Sequence, residues 1–423
     1  MRKIELNGLD VSVYKEKLSN HLDVYMVPYP KKKNYFISYA TYFGSDVLEF
    51  LVDQKKYKPP LGIAHFLEHK MFEQEDGVDP FTYFSQSGTD SNASTSYDNT
   101  EYICYGNKNF LDNLRYLLHF VNHPYFTDDN VSKEKGIIKE EILMYQDMPE
   151  FQLEMALRDA LFHKSPRKYD IAGSVESISS IKKEDLYDCY NHFYVPNNMF
   201  LLIVGNFSLE DALKVIKEEV GDIKEVELPK VILEEEDISV CKREVTITGN
   251  IETNKLGIGL KVPIKDFSIK NNELDYYLNM ITTILFGSSS LFRERVRDKN
   301  LLNGIQMQWG SASDFRIFYL LATSVDIDLL LEEVKKELEH VKISKNDFER
   351  IKKVWIANEV KMMDSIDGCV DILFDDIVKY RKVIPNKIDM IRSLDYSLLE
   401  KLIKKIDFTN YSVVKLQKSV KNH

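Results

Sequence analysis

Residues 62–74 read GIAHFLEHKMFEQ and place His65, Glu68 and His69 within five positions of a chain that has nine histidines in all. Side chains three and four apart on a helix share a face, so all three point the same way. The segment is therefore a metal site or a coincidence. Neutral imidazoles four apart can both reach one tetrahedral zinc ion, and Glu68 sits on the same face beside them. The competing account is a pair of helix-surface or satisfied core histidines. At this histidine frequency HxxEH arises by chance in on the order of one such sequence in a hundred, and the metal reading is preferred.

A catalytic zinc needs a third protein ligand and an open position. The helical pattern over 130–148, which contains EKGIIKEEILMYQDM, supplies a candidate. Glu134 and Glu141 are two turns apart and share a face, whereas Glu140 is rotated away. Glu141 can ligate while Glu134 stands behind it and holds His65 or His69 in its ligating tautomer. An acidic, solvated helix face is the alternative, and it is the HxxEH upstream that favours ligation.

The whole chain bounds these readings. Its 423 residues are 44% hydrophobic and 29% charged, long enough for two or three domains with buried cores. A net charge of −11 disfavours nucleic acid and anionic membrane surfaces as partners. The N-terminus has no apolar leader segment and no stretch is long enough to span a bilayer, so a cytoplasmic protein is expected. The excess of lysine over arginine is compatible with a low-GC bacterial source. Cys104, Cys189, Cys241 and Cys369 form no CxxC pair and read as buried thiols. No Walker, dinucleotide GxGxxG or GxSxG pattern occurs, and His119, His123, His163 and His192 are assigned structural roles.

Two α+β halves are expected: an N-terminal domain over 1–230 carrying the metal site, a linker at 231–239 within an acidic, proline-containing stretch, and a C-terminal domain over 240–423 without one. Strands are expected at 35–44, 92–106 and 198–207, with helices at 109–123, 130–148 and 151–164 between the last two. The second half repeats this order. Strands at 254–262, 316–325 and 411–416 enclose helical patterns at 272–286 and within 326–341, 344–363 and 366–380. This similarity of order suggests an internal duplication, with helices packed on one face of mostly antiparallel sheets.

HFLEH, the spacing to EKGIIKEEI, the segment NASTSYDNTEY and HFYVPNNMFLLIVGNF together resemble the pitrilysin and insulinase peptidases, which carry the inverted zinc motif. The likeness is to the branch containing the mitochondrial processing peptidase and its bacterial relatives. It covers nearly all of the first half and is looser in the second. The resemblance implies that His65, His69 and Glu141 bind zinc, with Glu134 as the second acidic position and Glu68 as the general base. Asn92, Ala93 and Ser94 match the family's edge strand, on which a substrate chain is added as an extra β-strand. Arg297, in GSSSLFRERVRDKNLLNG (287–304), matches an arginine that relatives bring to the substrate carbonyl. The tyrosine expected with it is absent, Asn303 falling near its place.

The fold so implied is half of a clamshell chamber, and relatives of this length pair as homodimers or with a sibling chain. The expected function is that of a zinc-dependent endopeptidase hydrolysing extended peptides through a zinc-bound water activated by Glu68. The alternative is a non-catalytic or partner-dependent peptide-binding subunit. The missing tyrosine sustains that second reading, since fold alone does not establish activity.

Overall fold

Met199–Gly205, MFLLIVG, is apolar throughout, the composition of a strand covered on both faces, and it lies inside a seven-stranded sheet. The computed structural model describes residues 1–265, 267–312 and 314–419. Met199–Gly205 pairs parallel with Asp23–Pro28 and antiparallel with Tyr35–Thr41. Ser12–Lys17 and Arg2–Glu5 extend the sheet on one side; Thr100–Gly106 and then Asp90–Thr95 extend it on the other. The expected single strand over 92–106 is a hairpin. Ser96 and Asn99 close its turn, the Ser96 N–H donating to the Asn99 carbonyl at 2.8 Å, because Ser, Asp and Asn favour turns over ladders.

The second sheet has five strands: Glu244–Gly249, Lys255–Pro263, Leu302–Ala312, Phe315–Ser324 and Tyr411–Lys418. The first and last pair parallel, and the other neighbours are antiparallel. Counted along the chain, they stand in the order first, last, second, fourth, third. The strands Asp23–Pro28, Tyr35–Thr41, Asp90–Thr95, Thr100–Gly106 and Met199–Gly205 stand in the same order with the same directions. Such agreement is what a duplicated unit leaves behind.

Two compact units emerge, each discontinuous in sequence. The first holds Met1–Ile142, Asp170–Leu233 and Asn358–Lys387; the second holds Leu143–Tyr169, Glu234–Ala357 and the described residues from Ile388 onward. The chain therefore passes between the units several times, where the sequence pattern marks one linker at 231–239. Two amphipathic helices account for this. Pro149–Leu161 buries Leu153, Leu157, Ala160 and Leu161 against Lys255–Pro263 and Tyr411–Lys418 of the second sheet. Gly259 makes room for it, since a Cβ there would stand 2.6 Å from a Leu161 methyl. Ile366–Tyr380 buries Cys369, Val370, Ile372, Leu373 and Ile377 against Val27, Ala40, Phe200, Leu202 and Val204 of the first sheet. Each half of the sequence thus supplies a helix to the unit built mainly by the other half. Periodicity tells which face of such a helix is apolar, not which sheet it covers.

The opposite face of the first sheet carries the larger core, where Phe66, Leu67, Leu114, Leu117, Ile138, Ile142 and Ile216 pack on Ile37, Tyr39, Tyr102 and Ile203. The helices bearing HxxEH and the two glutamates belong to this layer. Among the described residues no helix is long and apolar enough to cross a membrane.

Candidate metal centre

The helix Ile63–Lys70 begins at Gly62, whose φ of 87° favours glycine. A Cβ at Gly62 would also lie 2.3 Å from the Ala172 carbonyl oxygen, so any other residue would push the start of the helix off its seat. Ile63, Ala64, Phe66 and Leu67 are buried, which turns His65, Glu68 and His69 toward the other side. The helix Asp128–Gln146 buries Val131, Ile138 and Ile142 and brings Glu134 and Glu141 to those histidines.

His65 Nε2 lies 3.8 Å from Glu141 Oε1, and His69 Nε2 lies 3.4 Å from Glu141 Oε2. One donor atom from each of His65, His69 and Glu141 falls within 4.8 Å of the others, the single such group among the described residues. His119 and His123 stack with ring centroids 4.0 Å apart and gather no third ligand of that kind. Two imidazoles and one carboxylate are a donor set that suits zinc.

The electrostatics of His65 favour ligation, and the partner of His69 sets its tautomer. Burial, reinforced by His69, pushes the His65 pKa down to about 3, so its ring is a neutral donor at ordinary pH. His69 is half-buried, which lowers its pKa, but its Nδ1 lies 3.0 Å from Glu134 Oε1, and that hydrogen bond and charge raise the pKa overall. With the hydrogen on Nδ1, the lone pair of His69 sits on Nε2, facing Glu141. Glu134 is met from its other side by Lys70, a fully buried ammonium 3.9 Å from Oε2 that also pairs with Glu73. Neither Lys70 nor Glu73 is singled out by the sequence pattern, because a Lys–Glu pair after a metal motif reads as an ordinary solvated helix end.

Glu68 stands outside the group of His65, His69 and Glu141. Burial raises its carboxyl pKa, and its Oε2 accepts a 2.7 Å hydrogen bond from Thr95 Oγ1. Thr95 ends the strand Asp90–Thr95, the outermost strand of the seven-stranded sheet. Asn92, Ala93 and Ser94 lie on this strand, and its outer edge pairs with no described strand. Ala93 packs toward the large core, while Ser94 turns to the other face and donates to Glu101 Oε1 at 3.2 Å. The strand's backbone edge is thereby linked to the histidine–glutamate cluster through one hydroxyl.

Arg297 belongs to the other unit. It lies in the helix Leu291–Asp298 of the second unit, its side chain 76% exposed and 3.8 Å from Asp298. Asn303 sits at a bulge in the adjoining strand. The structure brings together His65, Glu68, His69, Glu134 and Glu141, and does not join Arg297 to them within a unit.

Comparison with known proteins bears on the same residues. The family described as Insulinase (Peptidase family M16) matches residues 55–174, which contain all five of those side chains. A second family, Peptidase M16 inactive domain, matches residues 180–354. The chain is 38% identical over 309 residues to the uncharacterized zinc protease YmfH of Bacillus subtilis (strain 168), covering 72% of either chain. It is 27% identical over 262 residues to YmxG, an uncharacterized zinc protease of the same strain, covering 60% of this chain and 61% of that one. Among solved structures, an M16-like peptidase from Alicyclobacillus acidocaldarius superposes with a TM-score of 0.92 at 28% identity, over 98% of this chain and 100% of that one. Pitrilysin shares the fold, with a TM-score of 0.75 at 14% identity, over 98% of this chain and 46% of its own.

Proposed function

The chain belongs to the insulinase family of peptidases, M16, and on that premise we propose that it is a zinc-dependent endopeptidase acting on extended peptides. The observation that carries the proposal is the convergence of His65, His69 and Glu141 beside a half-buried Glu68 that stands outside this ligand set. When bound, zinc supplies the Lewis acidity that polarises a scissile carbonyl and makes water nucleophilic near neutral pH. Glu68 takes the proton from the attacking water and delivers it to the leaving amine. Burial raises the Glu68 pKa, which strengthens the carboxylate as the base for the first of these transfers. Glu134 keeps the His69 ring in the ligating tautomer. The outer backbone edge at Asn92–Ser94, where the Ala93 amide donates to Asn92 Oδ1 at 2.9 Å, receives the peptide as an added strand, which selects for unfolded or extended substrates.

Pairing forms part of the proposal. The chain matches about half the length of pitrilysin, so a second copy or a sibling chain would supply the remaining half. A partner-dependent, peptide-binding subunit is the second reading, and what favours it is Asn303 near the place where the family resemblance implies a tyrosine. Cleavage of a diverse peptide mixture by the purified chain, with Glu68→Gln beside it and products read by mass spectrometry, tests both. Cuts made only by the wild type support the endopeptidase reading. Silence from both proteins with one zinc bound per chain overturns self-sufficient catalysis and leaves the partner-dependent reading.

A further inference from the structure

Thr95 occupies a position that the reaction as described does not use. It is the last residue of the edge strand, stands directly opposite Thr100 in the hairpin, and has a single hydroxyl hydrogen. That hydrogen goes to Glu68 Oε2 at 2.7 Å. The neighbouring Thr100 Oγ1, 3.4 Å away, spends its own hydrogen on the Phe43 carbonyl at 2.9 Å. An ionised carboxylate can only accept, so the bond runs from the Thr95 hydroxyl to Glu68 Oε2.

The strand end that carries Thr95 is held firmly. The Ser45 and Asp46 amides donate to the carbonyls of Ser96 and Tyr97 at 3.1 and 2.9 Å, and Ser96 Oγ bonds Asn99 Oδ1 at 2.7 Å. A Cβ at Gly44 would stand 2.5 Å from the Ser96 and Tyr97 carbonyl oxygens, so the strand end is seated directly on backbone. Glu68, by contrast, is a three-torsion side chain that stands outside the ligand set, and rotation about those torsions swings its carboxylate through several ångströms.

We propose that Thr95 is a positioning residue for Glu68: its hydroxyl clamps one carboxylate oxygen so that the other faces the reacting water. Because the clamp is borne by the strand on which a peptide docks, it ties the position of the base to the position of the substrate. This rests on the endopeptidase reading above. The bond breaks and reforms nothing covalent; its effect is confined to where the base stands when the proton moves.

Thr95→Val keeps the β-branched shape and removes the donor, and Thr95→Ser keeps the donor and removes the methyl. A hydrogen bond to a charged group sets the expected loss at about 10- to 100-fold in kcat for Thr95→Val. KM should stay within about twofold, since substrate is held by backbone. Thr95→Ser should recover most of the rate, and both variants should retain zinc. A rate for Thr95→Val equal to the wild type overturns the proposal. So does a Thr95→Ser variant as slow as Thr95→Val, or a loss that falls on KM alone, because each assigns the effect to strand packing. Should the wild type cleave nothing, the endopeptidase reading fails separately. Crystal structures of the zinc-loaded variants then decide the clamp, supporting it if the Glu68 carboxylate is displaced in Thr95→Val and restored in Thr95→Ser, and overturning it if the carboxylate is unmoved.

Discussion

Replacing Glu134 should weaken zinc binding in a graded way that the geometry ranks in advance. Glu134 Oε1 lies 3.0 Å from His69 Nδ1, and the side chain is only 11% exposed, so water cannot take over its role. A hydrogen bond to a charged partner contributes roughly 1.5–3 kcal/mol, and outer-sphere partners of this kind are worth about 10- to 100-fold in metal affinity. Glu134→Ala should lose about that much, because His69 is then free to carry its hydrogen on the wrong nitrogen. Glu134→Gln keeps an oxygen acceptor for Nδ1–H and loses only the charge, so its loss should be smaller. Lys70 adds a cross-check. Its buried ammonium stands 3.9 Å from Glu134 Oε2, and in Glu134→Ala that charge remains beside a dication with Glu73 as its main partner. Adding Lys70→Met to Glu134→Ala should therefore recover part of the lost affinity. Zinc competition against a fluorescent chelator at neutral pH measures all four proteins. An alanine variant that binds as tightly as the wild type, or a glutamine variant weaker than alanine, would refute the reasoning.

Chelation should lower the thermal midpoint, and free zinc at about 100 times Kd should return roughly 2.7 kcal/mol of stability; His65→Ala should abolish that zinc-dependent part in a melting experiment. In the second unit, Lys261 is fully buried and donates to Glu236 Oε1 at 2.6 Å, while the amides of His163, Lys164 and Ser165 bond the same carboxylate. Glu236→Gln should cost about 3–5 kcal/mol in urea unfolding, and a loss below about 1 kcal/mol would mean that water reaches Lys261. Glu333 is held down to a pKa of about 2, first by Lys299 and Lys336 and then by Arg295. Its folded pKa lies below the unfolded value near 4.5, so its contribution is complete above pH 4.5 and disappears as pH falls toward 2. The stability gap between wild type and Glu333→Gln should accordingly be widest near pH 6 and close across that acid window; a gap independent of pH would count against the pairing.

The metal cluster was legible because helical spacing alone puts His65, Glu68 and His69 on one face and Glu134 and Glu141 on another. In Ile63–Lys70 the buried apolar positions lie on the side away from these residues, and in Asp128–Gln146 Glu134 and Glu141 flank the buried stripe of Val131, Ile138 and Ile142, so the pattern and the packing agree. Thr95 was not legible in that way. A threonine on a strand is an ordinary β-former, and only the register that seats it opposite Thr100 and above Glu68 gives it a partner. Lys70 was hidden for a related reason: lysines are seldom buried, and nothing in HKMFE says that this one is. The segment 92–106 reads as one strand because alternation continues across the turn, whose Ser96–Asn99 closure is a local hydrogen-bond matter. Internal duplication could be suspected from the order of elements, yet the matching strand order needed the pairings themselves. The destinations of Pro149–Leu161 and Ile366–Tyr380 were beyond sequence pattern altogether, since an amphipathic helix advertises an apolar face without naming what will cover it.

That exchange of helices has a consequence in time. The first sheet is complete in sequence at Gly205, but the helix that covers Phe200, Leu202 and Val204 ends at Tyr380. At about 5–20 residues per second a ribosome takes on the order of 10–35 s to make the intervening chain. For that interval the nascent first half holds an apolar sheet face toward water. Burial of Val370, Ile372, Leu373 and Ile377, at roughly 2 kcal/mol each, comes only with the last part of synthesis. The growing chain is thus a natural client for chaperones that hold apolar surface. Its two halves, made as separate polypeptides, should each need the other present before either becomes soluble.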